Sequence, residues 1–133
     1  MKGAKAKAWK WFSLYRRLKC CIETTGTSDW CICVTCKRRV QNIDGQLHAG
    51  HAIAGRNNTI LLNEELVWGQ CSGCNITGQY HLYSLFMIEK FGLKHWEELC
   101  FIARKGSPMK EWQWKEEADK WKSKFEGLRS LGL

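Results

Sequence analysis

The alternation of apolar and polar positions divides the chain into three stretches. In the first, Trp11, Leu14 and Leu18 form one i, i+3, i+7 row, with Ala8, Phe12 and Tyr15 beside it, which predicts an amphipathic helix over 4–19. Its other face carries Lys5, Lys10, Arg16, Arg17 and Lys19, and the turn-forming run TTGTSD (24–29) ends the element. The helical period then breaks. Short apolar runs at 30–34, 47–53 and 67–69 read as strands, and AGRNNT (54–59) reads as a polar loop. After Cys71 the helical period returns. Residues 79–91 predict a helix that buries Leu82, Leu85, Phe86 and Ile88/Glu89 and stops at Gly92. A shorter helix over 94–104 rests on Trp96, Leu99, Cys100 and Ala103. Ser107-Pro108 interrupts, and 111–129 forms a last helix on Ala118, Trp121, Phe125 and Leu128. Trp96, Trp112 and Trp121, at helical spacing, are expected in the core. The predicted class is α+β, with a small strand-rich centre between an N-terminal helix and C-terminal helices.

Length and composition make this one domain over 1–133: a basic helix and turn (1–29), a strand-rich core (30–92) and terminal helices (93–133). Hydrophobic residues at 44% and eight Trp exclude a disordered chain, which could not bury enough apolar surface to offset its ordering entropy. No run approaches the roughly 20 apolar residues that span a bilayer, and MKGAKAKAWKWF lacks the apolar centre of a secretory signal. A cytoplasmic protein with reduced thiols is expected, so the eight Cys point to metal ligands and buried thiols more than to disulfides. The net charge of +8 is unevenly placed. Residues 1–56 hold eleven Lys/Arg against three acids, whereas the remainder holds ten of each. A basic half of this kind favours a polyanionic partner, because each neutralised phosphate releases counterions.

Two Cys-x-x-Cys pairs carry the strongest chemical signal. Cys33 and Cys36 are separated from Cys71 and Cys74 by thirty-four residues. Two residues between thiols let both sulfurs point inward from one tight turn, and two such knuckles complete a tetrahedral four-thiolate zinc site. Structural zinc contributes on the order of 10 kcal/mol to folding, which a small sheet with little core of its own requires. Cys31 could stand in for Cys33 at a poorer spacing, while Cys20, Cys21 and Cys100 read as core thiols.

A zinc closed by four thiolates leaves no coordination position for water or substrate, so catalysis would need a second, open site. Candidates lie in LHAGH (47–51): His48 and His51 flank Gly50, where a bend would aim both imidazoles into one cleft. Asn75 directly follows the last knuckle Cys. Imidazole, amide oxygen and water suit Mg²⁺, Mn²⁺ or a borderline transition metal, and a neutral imidazole near pKa 6.5 can accept a proton from water. On spacing alone, packing histidines and a helix-capping Asn75 account for the same residues.

The linked run C-x-x-C, LHAGH, N-E, Q-C-x-x-C-N and G-x-x-x-x-Y resembles the phage NinG (Rap) recombination endonucleases, of the HNH or ββα-metal superfamily. The resemblance extends to AWKWFSLYRRL (8–18), ETTGT (23–27), Gly78, Tyr83 and the Gly92 turn, and so covers most of the chain. It implies a ββα-metal core and a metal-dependent endonuclease that cleaves branched DNA, such as Holliday junctions or D-loops, in phage recombination. His51 then falls in the general-base position and Asn75 in that of the final metal ligand. Most HNH enzymes carry a metal-binding Asp just before the base; here Gly50 stands there, and His48 is the candidate second ligand, with His81 a weaker one. Leu66 occupies the place of the central Asn, leaving Asn63 as the nearest substitute brace, and Trp68 stands where relatives often have His.

Phosphate contacts are expected from Lys10, Arg16 and Arg17 on the first helix, from Lys37, Arg38 and Arg39 after the first knuckle, and from Arg56. No helix dense in Asn, Gln and Arg is present to read a major groove. A homodimer would suit a two-fold DNA junction, with the Lys/Glu face of the last helix as a candidate seam. The competing expectation is a zinc-stabilised DNA-binding module without catalysis, motivated by the Gly50, Leu66 and Trp68 departures.

Overall fold

The computed structural model describes all 133 residues, from Met1 to Leu133. Six helices and two small antiparallel sheets make a mixed α+β chain. The first helix, α1 (Gly3–Thr25), runs six residues beyond the predicted end and takes in Cys20 and Cys21. Gly26, at φ 78°, closes it by donating its N–H to the Ile22 carbonyl at 2.9 Å. Its buried stripe also differs in phase. Ala4, Ala8, Phe12, Arg16 and Cys20 lie along one i, i+4 row, with Tyr15 and Leu18 beside it, whereas Trp11 and Leu14 are half-buried. The small alanines let the helix approach its neighbours closely, which outweighs the larger apolar area of Trp11 and Leu14.

Strands β1 (Trp30–Ile32) and β2 (Arg39–Gln41) pair with Cys31 opposite Val40. They flank the first knuckle, and β2, a strand of alternating exposed and buried residues, was absent from the predicted elements. The second sheet pairs β3 (Leu47–His51) with β4 (Val67–Cys71), in the register Leu47–Cys71, His48–Gln70, Ala49–Gly69, Gly50–Trp68 and His51–Val67. Both strands are shorter or longer by two residues than the apolar runs that predicted them. A one-turn helix, α2 (Asn58–Leu61), starts in the last two residues of the expected polar loop and runs past it, capped by the Asn57 side chain, which accepts from the N–H groups of Thr59 and Ile60. A single 3-10 turn (Glu64–Leu66) leads into β4.

From β4 the chain enters α3 (Ser72–Thr77), a helix too short to hold itself in water. Then follow α4 (Tyr80–Phe91), α5 (Leu93–Ile102) and α6 (Glu111–Arg129). The inward face of α4 is set by Tyr83 and Met87, and the expected core residue Leu85 is 62% exposed, with Glu89 also outside. In α5 the predicted face holds: Trp96, Leu99 and Ala103 are buried and Cys100 half-buried. In α6, Trp114, Ala118 and Trp121 are buried, but Trp112 is 55% exposed, one helical step off the stripe.

The core has four parts; Ala4, Ala8, Leu61, Trp114 and Ala118 form one between α1 and α6, and the other three meet at the β3–β4 pair. On one side α1 and α6 clasp it through Phe12, Tyr15, Ala49, Val67 and Trp121, with Trp121 edge-on to Phe12 at 4.8 Å. Beneath α1 lie Cys20, Cys21, Cys31, Cys33, Val40 and Leu47. On the far side α4 and α5 pack Tyr83, Met87, Trp96 and Leu99 against Val34, Ile60 and Leu66. The apolar stripe of α6 is thus consumed by α1, leaving Lys115, Glu116, Lys120 and Lys122 exposed as a solvated face. No helix is long and apolar enough to cross a membrane.

Candidate metal centre and adjoining cleft

The four knuckle thiols converge. The Sγ atoms of Cys33, Cys36, Cys71 and Cys74 all lie within 4.8 Å of one another. Cys36 and Cys71 sulfurs are 3.8 Å apart, the edge expected of a tetrahedron with four sulfurs about 2.3 Å from a central zinc. Backbone N–H groups turn toward them: Cys71 N–H donates to Cys33 Sγ at 3.3 Å and Cys74 N–H to Cys71 Sγ at 3.4 Å. Burial pushes the Cys33 thiol up, but N–H groups of Cys71, Cys36 and Thr35 with the Thr35 hydroxyl outweigh it and bring it down to about 6. Four thiols so held could bind a structural zinc. Cys31 is not in the cluster; it is buried beside Cys20 and Cys21, which with half-buried Cys100 are free thiols.

The cluster holds α3 at its first turn, and Asn75 follows the fourth thiol. Ser72 N–H donates to the Gln46 carbonyl at 2.9 Å, tying the same turn to the start of β3. Asn75 is thereby set against β3, and its Nδ2 donates to His48 Nδ1 at 2.9 Å. Both residues line a cleft of about 560 Å³, together with His51, Trp9, Arg17 and Arg56. Because β3 pairs with β4 alone, its other edge is free, and the cleft follows that edge between α1 and α3.

Alternation along β3 sends His48 and Gly50 to one face and Leu47, Ala49 and His51 to the other. His48 therefore meets α3, whereas His51 meets α1. The His51 ring stacks on Trp9 with centroids 5.3 Å apart, and its Nε2 lies 3.2 Å from the Leu61 carbonyl. A carbonyl only accepts, so Nε2 carries the proton and Nδ1 is the basic nitrogen. Burial drives the ring down to about 4, with the nearby Arg56 charge adding to the effect, so His51 is neutral at physiological pH. Arg56 stands over the Trp9 ring at 4.5 Å, at a left-handed φ of 48°. Arg17 reaches the opposite wall and pairs with Asp44 at 3.3 Å.

A side chain at Gly50 would have to displace the Gln70 carboxamide. A Cβ there would meet Gln70 Oε1 at 2.0 Å and Asn75 Oδ1 at 3.0 Å. Gln70 is itself buried, and its Nε2 donates to Thr35 Oγ1 at 3.2 Å, which links the hairpin to the first knuckle.

Several expected contacts lie elsewhere. Arg16 is only 2% exposed; its Nε donates to the Val67 carbonyl at 2.8 Å and its guanidinium covers Trp68 at 4.7 Å, so it cannot reach a phosphate outside. The i, i+4 row that buries Phe12 also carries residue 16 inward. Lys37, Arg38 and Arg39 are exposed but do not line the cleft: Lys37 Nζ donates to the Val34 carbonyl and lies over Phe86, and Arg39 covers Trp30. Lys10 is exposed beside Trp11. His81 is exposed on α4 and does not line the cleft, because the α4 phase turns it outward. Asn63 caps the 3-10 turn by accepting from Glu65 N–H at 3.0 Å. The sequence patterns do not single out Asp44, which lines the cleft, nor Gln70 and the Leu61 carbonyl, which lie behind it against Gly50 and His51.

Set against protein-family models, curated proteins and solved structures, the chain matches none of them.

Proposed function

We propose that the chain is an HNH-type, metal-dependent DNA endonuclease, in which β3, β4 and α3 form the ββα unit and His51 is the general base. The observation that carries this reading is the cleft, where a neutral, tautomer-locked imidazole stands in one wall with the His48–Asn75 pair in another. A hard divalent cation would draw its protein ligands from His48 and Asn75. His48 Nδ1 and the Asn75 amide lie 2.9 Å apart, hydrogen-bonded to each other. A half-turn of the amide exchanges Nδ2 for Oδ1 and presents two acceptors. A Mg²⁺ or Mn²⁺ ion held there would neutralise charge developing on the leaving 3′ oxygen.

The residues of the chain then divide the work. Arg17 and Arg56 hold phosphate oxygens from two sides. His51 Nδ1 takes a proton from water as its oxygen bonds to phosphorus; the P–O3′ bond breaks, the departing 3′ oxygen takes a proton from solvent water, and a 5′ phosphate and a 3′ hydroxyl result. Trp9 is already engaged by the His51 ring and the Arg56 guanidinium, and the charged side chains of the cleft favour contacts to the DNA backbone. Branched DNA of the kind handled in phage recombination is the substrate class that the motif resemblance favours.

Purified protein is to be incubated with a four-way junction and a matched duplex, with and without Mg²⁺ or Mn²⁺. Metal-dependent cleavage is expected, falling about 10²–10⁴-fold in His51→Ala. Cleavage by His51→Ala at the wild-type rate removes the assigned role. A second reading, a zinc-stabilised DNA-binding module, is favoured by Gly50, which gives the cation no carboxylate from that position. It requires DNA binding with no cleavage under either metal.

A further inference from the structure

Gly50 creates a mechanical problem beside His51. Without a Cβ, its backbone is the least restrained on β3, yet it is joined to the residue whose ring must stay in the cleft. The hydroxyl of Tyr83, a fully buried side chain of α4, reaches across the core to this point. It donates to the Gly50 carbonyl at 2.6 Å and accepts from Trp68 N–H at 2.9 Å. The bridge joins β3 and β4 at the Gly50–Trp68 pair, one residue before His51. The carbonyl it holds belongs to the peptide plane that also contains the His51 nitrogen, so its orientation sets the direction in which the His51 side chain leaves the strand.

We propose that Tyr83 is a positioning residue for His51: its hydroxyl locks the Gly50–His51 peptide plane and thereby keeps the imidazole stacked on Trp9 and bonded to the Leu61 carbonyl. Burial raises the Tyr83 hydroxyl well above its ordinary range, so it remains a proton donor throughout the pH range of a nuclease. Ring packing alone would not need the oxygen: Phe86 touches Tyr83 edge-on at 6.3 Å through carbon, and Met87 fills the same cluster. The consequence for catalysis rests on the nuclease reading, whereas the positioning itself is a property of the His51 ring.

Tyr83→Phe removes the oxygen and keeps the ring. In the zinc-loaded full chain, the expected results are faster exchange of the Trp68 amide proton and loss of the single Nε2–H tautomer of His51 in ¹H–¹⁵N spectra. Cleavage should show kcat reduced about 10–100-fold with KM nearly unchanged, since small misplacements of a reacting group carry penalties of that size. A merely structural hydroxyl would lower the melting temperature and leave the His51 spectrum and kcat untouched, which overturns the proposal. If wild-type protein cleaves no DNA, the nuclease reading fails and the His51 spectrum alone decides the positioning. If Tyr83→Phe does not fold, para-aminophenylalanine at position 83 returns an N–H donor to Gly50; a folded protein with a wild-type His51 spectrum supports the proposal, and a displaced His51 rejects it.

Discussion

His51 shows how burial sets the chemistry of a single residue. Burial lowers the ring to about 4, outweighing the bond to the Leu61 carbonyl that favours the protonated form, whereas in the unfolded chain it titrates near 6.5. Between those values the unfolded chain binds more protons than the folded one, so stability rises with pH across the window. The contribution is complete above about pH 6.5, and about 3 kcal/mol of it is lost as pH falls toward 4. His51→Gln, with an amide N–H still able to meet Leu61, should flatten this part of the curve. Urea midpoints for both proteins between about pH 4 and pH 7 read the difference, and parallel profiles would contradict the assigned burial. The histidine pair and Asn75 stand out as candidates from their spacing around the knuckles. The tautomer, the Trp9 stack and the Gln70 side chain that closes Gly50 do not, because each depends on a residue far away in sequence.

At the scale of elements, α3 depends on the thiol cluster. It has six residues and no buried side chain of its own, and its first turn is held by Cys71, Cys74 and the Ser72–Gln46 bond. The short strands β1 and β2 are in the same position. Removal of metal from the cluster with a chelator is expected to melt α3 and both sheets, since on the order of 10 kcal/mol of binding energy is comparable with the whole stability of a small domain. Far-ultraviolet circular dichroism should show loss of strand signal with partial survival of α1 and α6, and Cys36→Ser should reproduce it. An unchanged spectrum and melting temperature after demetallation would show that the thiols are packing residues. Helix existence is readable from periodicity for α1, α4, α5 and α6. The phase of α1 and α4 is not: rows of large apolar residues predict the inner face, but close packing selected the row with Ala4 and Ala8 in one case and the hydrogen-bonding Tyr83 in the other.

For the whole molecule, the basic residues within 1–56, beyond the lysines of α1 and its start, fall in three places with different access. Arg17 and Arg56 line the cleft, Lys37, Arg38 and Arg39 lie beyond it, and Arg16 is interior. Replacing Arg56 by Ala should weaken DNA binding and reduce the salt-dependence slope by about one unit, as loss of one phosphate contact does. Arg16→Met should leave that slope unchanged while lowering the unfolding midpoint, because it removes the bond to the Val67 carbonyl and the cover on Trp68. Titration of labelled DNA at several salt concentrations separates the two. Equal slopes for wild type and Arg56→Ala would take the cleft out of the DNA path.

Local sequence by itself determined the repertoire: an α+β chain, four helices by period, two knuckles with zinc spacing, and a short list of residues able to do chemistry. These depend on neighbours within about two helical turns, and the order of residues contains them directly. Tertiary structure decided which of those residues share a cleft. It brought His51, His48, Asn75, Arg17 and Arg56 together, turned Arg16 inward and His81 outward, and placed a tyrosine from α4 against the peptide before His51. The register of β3 with β4 places the histidines, and the rotation of α1 and α4 about their axes places Arg16, His81 and Tyr83. A packed core fixes that rotation through contacts dozens of residues apart, which no local pattern encodes.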